Sequence, residues 1–301
     1  MVLAITACGG STPVPAAGTR AYPATGLVLL SLSDGKYRAS ASVGTDPVAV
    51  IVSGDGATAY LADSSPGDVY AVRLADLSVA WKRHVGGAPF GLLLHAGRLF
   101  VSLFSGAAVV ELDPITGLKL AMYTVPRGPA ALTVDFQGRV VAAGTGGTVD
   151  RLDGTTSGAG DGFGIALIGD TVWTADYERA ELVPVGGRRV GLPLPVFPFW
   201  LAPGSNDTLL IAAEGPSEDS DPGGVFCYDP VSRSFTTLAL PRDPDQVIHS
   251  GATIFVAAHG DHDVLAIKNG HTAAWAPGAP AVAVAADTAL GLIVVVVNSH
   301  E

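Results

Sequence analysis

The chain has 301 residues, 48% hydrophobic and 15% charged, with a formal net charge of −11. Six Glu, four Lys and two Gln against 38 Gly and 21 Pro exclude a helical bundle. No basic cluster exceeds Lys82-Arg83 or Arg188-Arg189, which argues against a nucleic-acid or basic membrane-binding face, and runs such as Val294 to Val297 are far shorter than the ~18 residues of a spanning helix.

The first segment is Met1-Val-Leu-Ala-Ile-Thr-Ala-Cys8, followed by GGSTPVPAAGT. An apolar run ending in a small residue before Cys8 resembles a bacterial lipobox, and a Gly/Ser/Thr/Pro stretch after it reads as a flexible tether. That resemblance implies residues 1–7 as a signal-peptide remnant, lipidation of Cys8, a tether over 8–25 and an extracytoplasmic, membrane-anchored protein. One pair of cysteines in a chain this long is no disulfide framework. Cys227, in the strand-like run VFCYDP, reads as a packed thiol.

From residue 43 a mark recurs: VGTDP at 43–47, VGGAP at 85–89, VPRGP at 125–129, LPRDP at 240–244 and APGAP at 276–280. After each mark the order is the same: an apolar run, a Gly/Asp/Asn turn, a β-branched run, a polar loop, a third run often ending in Asp, and a short fourth run. The first unit is VAVIV, TAYLA, VYAVRL and SVAWKRH; the second FGLLL, RLFVSL, AVVELDP and LKLAMY. The third runs AALTV, RVVAA and TVDRLD, with GTTSGAG in place of a good fourth strand. The fourth is FGIALI, TVWTA, AELVPV and RRVGLPL; the fifth FWLA, TLLIAA, VFCYDP and SFTTLAL; the sixth DQVIH, ATIFVAA, VLAIK and HTAAWA. The seventh stops after AVAVAA and LIVVVV, and its missing half is LVLLSLSDGKYRASAS at 27–42. Four short strands per ~40-residue unit is the signature of a propeller. The expectation is an all-β, seven-bladed β-propeller over 26–301, its ring closed by N-terminal strands completing the last blade; a pair of β-sandwiches would not leave half a repeat at each end.

The stretches VVELDPITGLKL (109–120), VFCYDPVSRSF (225–235), VGTDPVAVIVSGDGATAYLAD (43–63) and LIVVVVN (292–298) resemble the YVTN family of bacterial propellers. The resemblance implies the fold and an extracytoplasmic setting rather than a chemistry.

In such a ring the loops between second and third strands share one face, here called the top, with the loops joining blades. The second-to-third loops start near Asp63, Ser102, Gly144, Asp176, Glu214, His259 and Asn298. Their polar residues crowd into the later blades: Asp176, Tyr177, Glu214, His259, Asp261, His262, Asp263, Asn298, His300 and Glu301. The inter-blade loops add Asp46, Arg127, Asp161, Arg242 and Asp243. HGDHD at 259–263 offers imidazoles and carboxylates that, with His300 and Glu214, are Zn²⁺ or Cu²⁺ donors; its other reading is an exposed turn with Gly260 at positive φ. Glu218, Asp219 and Asp221 are oxygen donors for Ca²⁺, or a solvated acidic loop. GTGG (144–147) and GAGDGFG (158–164) have no helix to follow them and read as turns, not phosphate loops. Phe197, Phe199 and Trp200 read as inter-blade packing, or as an apolar wall at the channel mouth; Trp81, Trp173 and Trp275 read as blade core.

Two functions follow as expectations. The first is a monomeric, lipid-anchored scaffold binding a protein or small-molecule ligand on its top face, with no nucleic acid and no membrane contact except the anchor. The second is a metal-assisted hydrolase or lyase of lactonase-like type, with Ca²⁺ or Zn²⁺ held by His259, His300 and Glu214.

Overall fold

A computed structural model describes residues 22–125, 128–217 and 220–299. Cys8, Arg127, Glu218, Asp219, His300 and Glu301 lie outside the described residues. The first blade is β3 (Pro47–Val52), β4 (Thr58–Asp63), β5 (Asp68–Arg73) and β6 (Val79–His84). The second is β7 (Pro89–His95), β8 (Arg98–Leu103), β9 (Ala108–Leu112) and β10 (Lys119–Thr124). The third is β11 (Pro129–Val134), β12 (Val140–Gly144), β13 (Thr148–Arg151) and β14 (Thr156–Gly158). The fourth is β15 (Ile165–Ile168), β16 (Thr171–Asp176), β17 (Glu181–Pro184) and β18 (Val190–Gly191). The fifth is β19 (Phe197–Pro203), β20 (Leu209–Glu214), β21 (Gly224–Asp229) and β22 (Ser234–Ala239). The sixth is β23 (Pro244–Ser250), β24 (Thr253–Ala258), β25 (Asp263–Lys268) and β26 (His271–Trp275). The seventh joins β27 (Ala281–Asp287) and β28 (Leu292–Asn298) to β1 (Thr25–Ser31) and β2 (Tyr37–Ala41). All seven sheets are antiparallel, and the first strands of successive blades touch one another around the ring. This is the expected seven-bladed propeller, closed by the chain's own ends. One local expectation fails: the third unit does form a fourth strand, β14, where Ser157 pairs with Val149.

Blades stack face to face, so each inner strand is buried on both sides, and an apolar layer fills each of the seven interfaces. Ile293 to Val297 show what this asks of sequence. Val294 and Val296 pack with Val50 and Leu61 of the first blade; Ile293, Val295 and Val297 pack with Phe255 and Val264 of the sixth. All five are 0% exposed, which is why the run does not alternate with polar residues. Each such side chain contributes about 1.5–3 kcal/mol of burial. β1 divides in the same way, with Leu27 and Leu29 toward the first blade and Val28 and Leu30 toward the sixth.

The Asp ending many third runs caps the turn to the fourth strand. Asp113 accepts the amides of Ile115 and Thr116 at 3.0 and 2.8 Å, and Asp229 that of Val231 at 2.8 Å. These bonds favour the ionised form and hold both carboxyls below their usual range. Of the tryptophans, Trp173 is core. Trp81 packs on Tyr60 and donates to the Pro114 carbonyl of the next blade at 3.0 Å, while Trp275 is half-buried against Phe255. Cys227 is a half-buried free thiol beside the interface of blades five and six. Among the described residues no helix is long and apolar enough to cross a membrane.

Candidate functional site

Except in the fourth blade, a proline sits at or next to the point where the inner strand enters the ladder, and just after it the register slips. Shifts lie between Pro47 and Ala49, Pro89 and Leu92, Pro129 and Leu132, Pro198 and Trp200, Pro244 and Gln246, and Ala281 and Ala283. A bulge re-aims the residue it leaves unpaired. The skipped residues Val48, Phe90, Phe199, Asp245 and Val282, with Trp200 and Gln246, line a cavity of about 70 Å³ at the top of the channel. Its walls are apolar or aromatic except for the carboxylate of Asp245 and the carboxamide of Gln246. The Gln246 oxygen accepts the Val284 amide at 2.6 Å, tying the sixth blade to the seventh.

Phe90 and Phe199 belong to a larger aromatic group. Phe163, in the Gly-rich loop before β15, lies 5.9 Å from Phe90 and from Phe104, 4.9 Å from Phe199 and 6.3 Å from Tyr177, centroid to centroid. Tyr177 stacks on Phe197 at 5.3 Å and donates its hydroxyl to Glu214 at 2.5 Å. The loop can bring Phe163 here because its glycines pass against backbone: a Cβ on Gly160 would stand 2.2 Å from the Ala175 carbonyl oxygen. GAGDGFG is thus a close-packed turn. Phe199 and Trp200 line the cavity, while Phe197 stacks on Tyr177 of the fourth blade and Trp200 packs against the apolar layers between blades, so these rings serve packing between blades as well as the wall.

Many of the polar top-face residues act as latches. The Asp63 carboxylate is fully buried and accepts the amides of Thr45 and Asp46 at 3.1 and 2.6 Å. Burial pushes its carboxyl up, the two amides opposing. Asp46 in turn accepts from the Asn298 amide group at 3.0 Å, fastening the closing blade to the first. Ser102 takes the Gly91 amide at 2.7 Å and donates to the Ala130 carbonyl at 2.6 Å. Asp176 is buried under Arg179 and Arg189. Asp261 holds the amide and side chain of Arg242 at 3.0 and 2.8 Å. His262 is exposed, and it rather than Gly260 takes the positive φ of the HGDHD turn, at 58°. Burial, then the charge of Asp261, pushes the Asp263 carboxyl up.

His259 is 8% exposed and Asp243 6%. The ring Nδ1 lies 2.9 Å from Asp243 Oδ2. A ligand atom from each of Asp243, Asp245 and His259 falls within 4.8 Å of the others. Among the described residues this is the group of His, Cys, Asp and Glu side chains able to share a metal ion. Its donors, one imidazole and two carboxylates, suit Zn²⁺ or a similar divalent ion. Glu214, expected as a ligand, is instead engaged by Tyr177. Sequence reasoning placed His259 and Asp243 at this face but passed over Asp245; its position directly after a Pro mark was the available signal. It also passed over Phe90, Phe104 and Phe163, which are scattered over 74 positions of the chain.

No protein-family model matches the chain, and no curated protein matches it. Among solved structures it is similar to the periplasmic gluconolactonase PpgL of Pseudomonas aeruginosa, with 13% identity over 91% of this chain and 97% of that one and a TM-score of 0.61. It is similar to BamB from Moraxella catarrhalis, with 15% identity over 93% of each chain and a TM-score of 0.54. It is also similar to hydrazine synthase of Kuenenia stuttgartiensis, with 13% identity, 75% and 78% coverage and a TM-score of 0.59. At such identities the likeness is one of fold.

Proposed function

We propose that this propeller is an extracytoplasmic, lipid-anchored binding module whose recognition element is the mouth of its central channel. The observation that carries the reading is the convergence of Phe90, Phe104, Phe163, Tyr177, Phe197 and Phe199, from the second and fifth blades and from the fourth blade with the loop leading into it, onto one opening. Half-buried rings gathered at a concave site are a favoured way to hold a ligand or anchor a partner, while Asp63, Ser102, Asp176 and Asn298 serve the scaffold beneath them. The lipobox-like Cys8 and the likeness to a periplasmic propeller support the setting. A photo-crosslinking residue at Phe104 tests it against one at Val231, which is 93% exposed in the opposite-face turn between third and fourth strands. Capture of one defined species at Phe104 alone, lost in Phe163→Ala, is expected. Equal capture at both positions would overturn the reading.

The convergence of Asp243, Asp245 and His259 favours a second reading, a metal-assisted hydrolase or lyase. In it those three side chains would hold a divalent ion, which would polarise a carbonyl or activate water. The gluconolactonase among the structural neighbours makes lactones the first substrates to screen.

A further inference from the structure

We infer that the outer rim of the second blade is a strand-addition site. There β10 takes up an extended segment of a partner protein, apolar at alternate positions and acidic at the end that meets Lys119. This surface is separate from the channel mouth and goes beyond the reading above. β10 ends its sheet, in the order β10-β9-β8-β7. An outermost strand presents backbone donors and acceptors along one edge, a template for another strand. The other outer strands are blunted. β14 and β18 have three and two residues. β6 carries Lys82, Arg83 and His84, and β2 carries Arg38. The exposed side chains of β22 and β26 are small or polar. β10 instead exposes Leu120 and Met122, with Leu118 and Ile115 exposed in the turn before it; among the described residues no other outer strand exposes two large apolar side chains. A bulge falls at Leu120, and from Ala121 to Thr124 the strand runs in unbroken register with Glu111 to Ala108.

Charge names the occupant. Met122 pairs with Val110 and Lys119 with Leu112, and both partners belong to the apolar layer between the first two blades. Trp81 and Arg83 pair with Ala71 and Val69 of the same layer. Directly paired residues share a face, so these four side chains stand at the outer end of that interface. Arg83 donates to the Gly117 carbonyl at 2.7 Å, which brings its guanidinium beside the start of β10. The nearby acids are engaged elsewhere: Asp68 with Lys82 and His84, Glu111 with Arg98 and Tyr123, and Asp113 with its turn amides. Neither β6 nor β10 contains Asp or Glu. A second copy laid edge to edge would bring another Lys119 and no acid on its strand, so the charges favour a different chain. Lying antiparallel, like every strand of the blade, that chain meets Arg83 and Lys119 with its C-terminal end.

The test is fluorescence anisotropy of the full chain with a labelled peptide of alternating valine and threonine that ends in glutamates. Saturable binding is expected. The same peptide ending in lysines should bind severalfold more weakly, and the difference should shrink at high salt. Met122→Lys, at a position 54% exposed where the fold tolerates change, is expected to weaken binding at least tenfold, since burial of one such side chain is worth that much. Lys119→Glu should erase the preference for the acidic peptide. Val231→Lys in the fifth blade should change nothing, and thermal melts verify the folding of each variant. Binding that is absent, or unchanged in Met122→Lys, overturns the inference. So does a concentration-dependent dimer in sedimentation that Met122→Lys dissolves, which would make the occupant a second copy. Phe163→Ala separates the two surfaces: it should leave peptide binding intact, and loss of binding in a folded Phe163→Ala would move the peptide to the channel mouth and overturn the rim assignment.

Discussion

Leu30→Ala probes the closure of the ring. Leu30 lies in β1, between β2 and β28, is 0% exposed and packs with Phe255, Val264, Ile293 and Val295. Truncating it removes burial and leaves a cavity between two blades that other packed layers hold apart, so little collapse can compensate. Buried Leu→Ala changes cost about 2–5 kcal/mol. A chain of this size loses roughly 2–4 °C of melting temperature per kcal/mol, so a mid-range loss of ~3 kcal/mol means a fall of about 6–12 °C. The control is Leu290→Ala, in the turn between β27 and β28 and 53% exposed, where a change within ~0.5 kcal/mol is expected. Thermal melts followed by far-ultraviolet circular dichroism read both. If the two variants melt together, β1 is not an integral strand of the last blade and the account of closure is wrong.

Three further outcomes follow from the same geometry. Gly91→Ala places a Cβ 2.4 Å from the Ala130 carbonyl oxygen and 3.0 Å from the Ser102 hydroxyl; it should destabilise by about 1–3 kcal/mol, whereas Gly54→Ala, with nothing within 4 Å, should be neutral in the same melts. Buried Asp68 and Asp135 are held below the usual range, burial opposing but hydrogen bonds from Lys82 and His84, and from Arg139, prevailing. A lowered folded value means stability that is complete above the unfolded value of about 3.9 and lost as pH falls through the folded one; the acid limb of a pH–melting curve should therefore be shallower in Asp68→Asn. If the second functional reading holds, elemental analysis should find about one equivalent of divalent metal in the wild type, lost in His259→Ala; metal absent from both leaves the binding reading alone.

The fold was readable because its units obey local rules that repeat. The Pro marks, the Asp that caps the third-to-fourth turn, and the two-faced Val run at 293–297 each have a cause within a few residues of chain. The half-units at 27–42 and 281–297 needed only to be added together. The site was harder. Asp63 and Asp176 look in sequence like available carboxylates, and nothing local reveals that backbone amides occupy the one and two arginines the other. Asp245 reads as the opening residue of the strand run DQVIH until the register slip beside it is known. Phe163 reaches the channel through glycines that looked like simple turns. The third unit's weak fourth segment became β14 because Thr148 to Asp150 offered it a ladder edge.

The closing blade also sets an order of events during synthesis. β1 and β2 are made first, yet the partner of β1 is the last strand: Thr25 faces Asn298 and Ser31 faces Leu292. Contacts so distant in sequence are slow to form. Until they do, Leu27 to Leu30 belong to an unmatched hairpin, and the ring is an open arc with raw edges at both ends. The final residues of the chain thus decide the fate of the first: loss of β28 alone would strand β1, β2 and β27 together and return the protein to six blades around a gap.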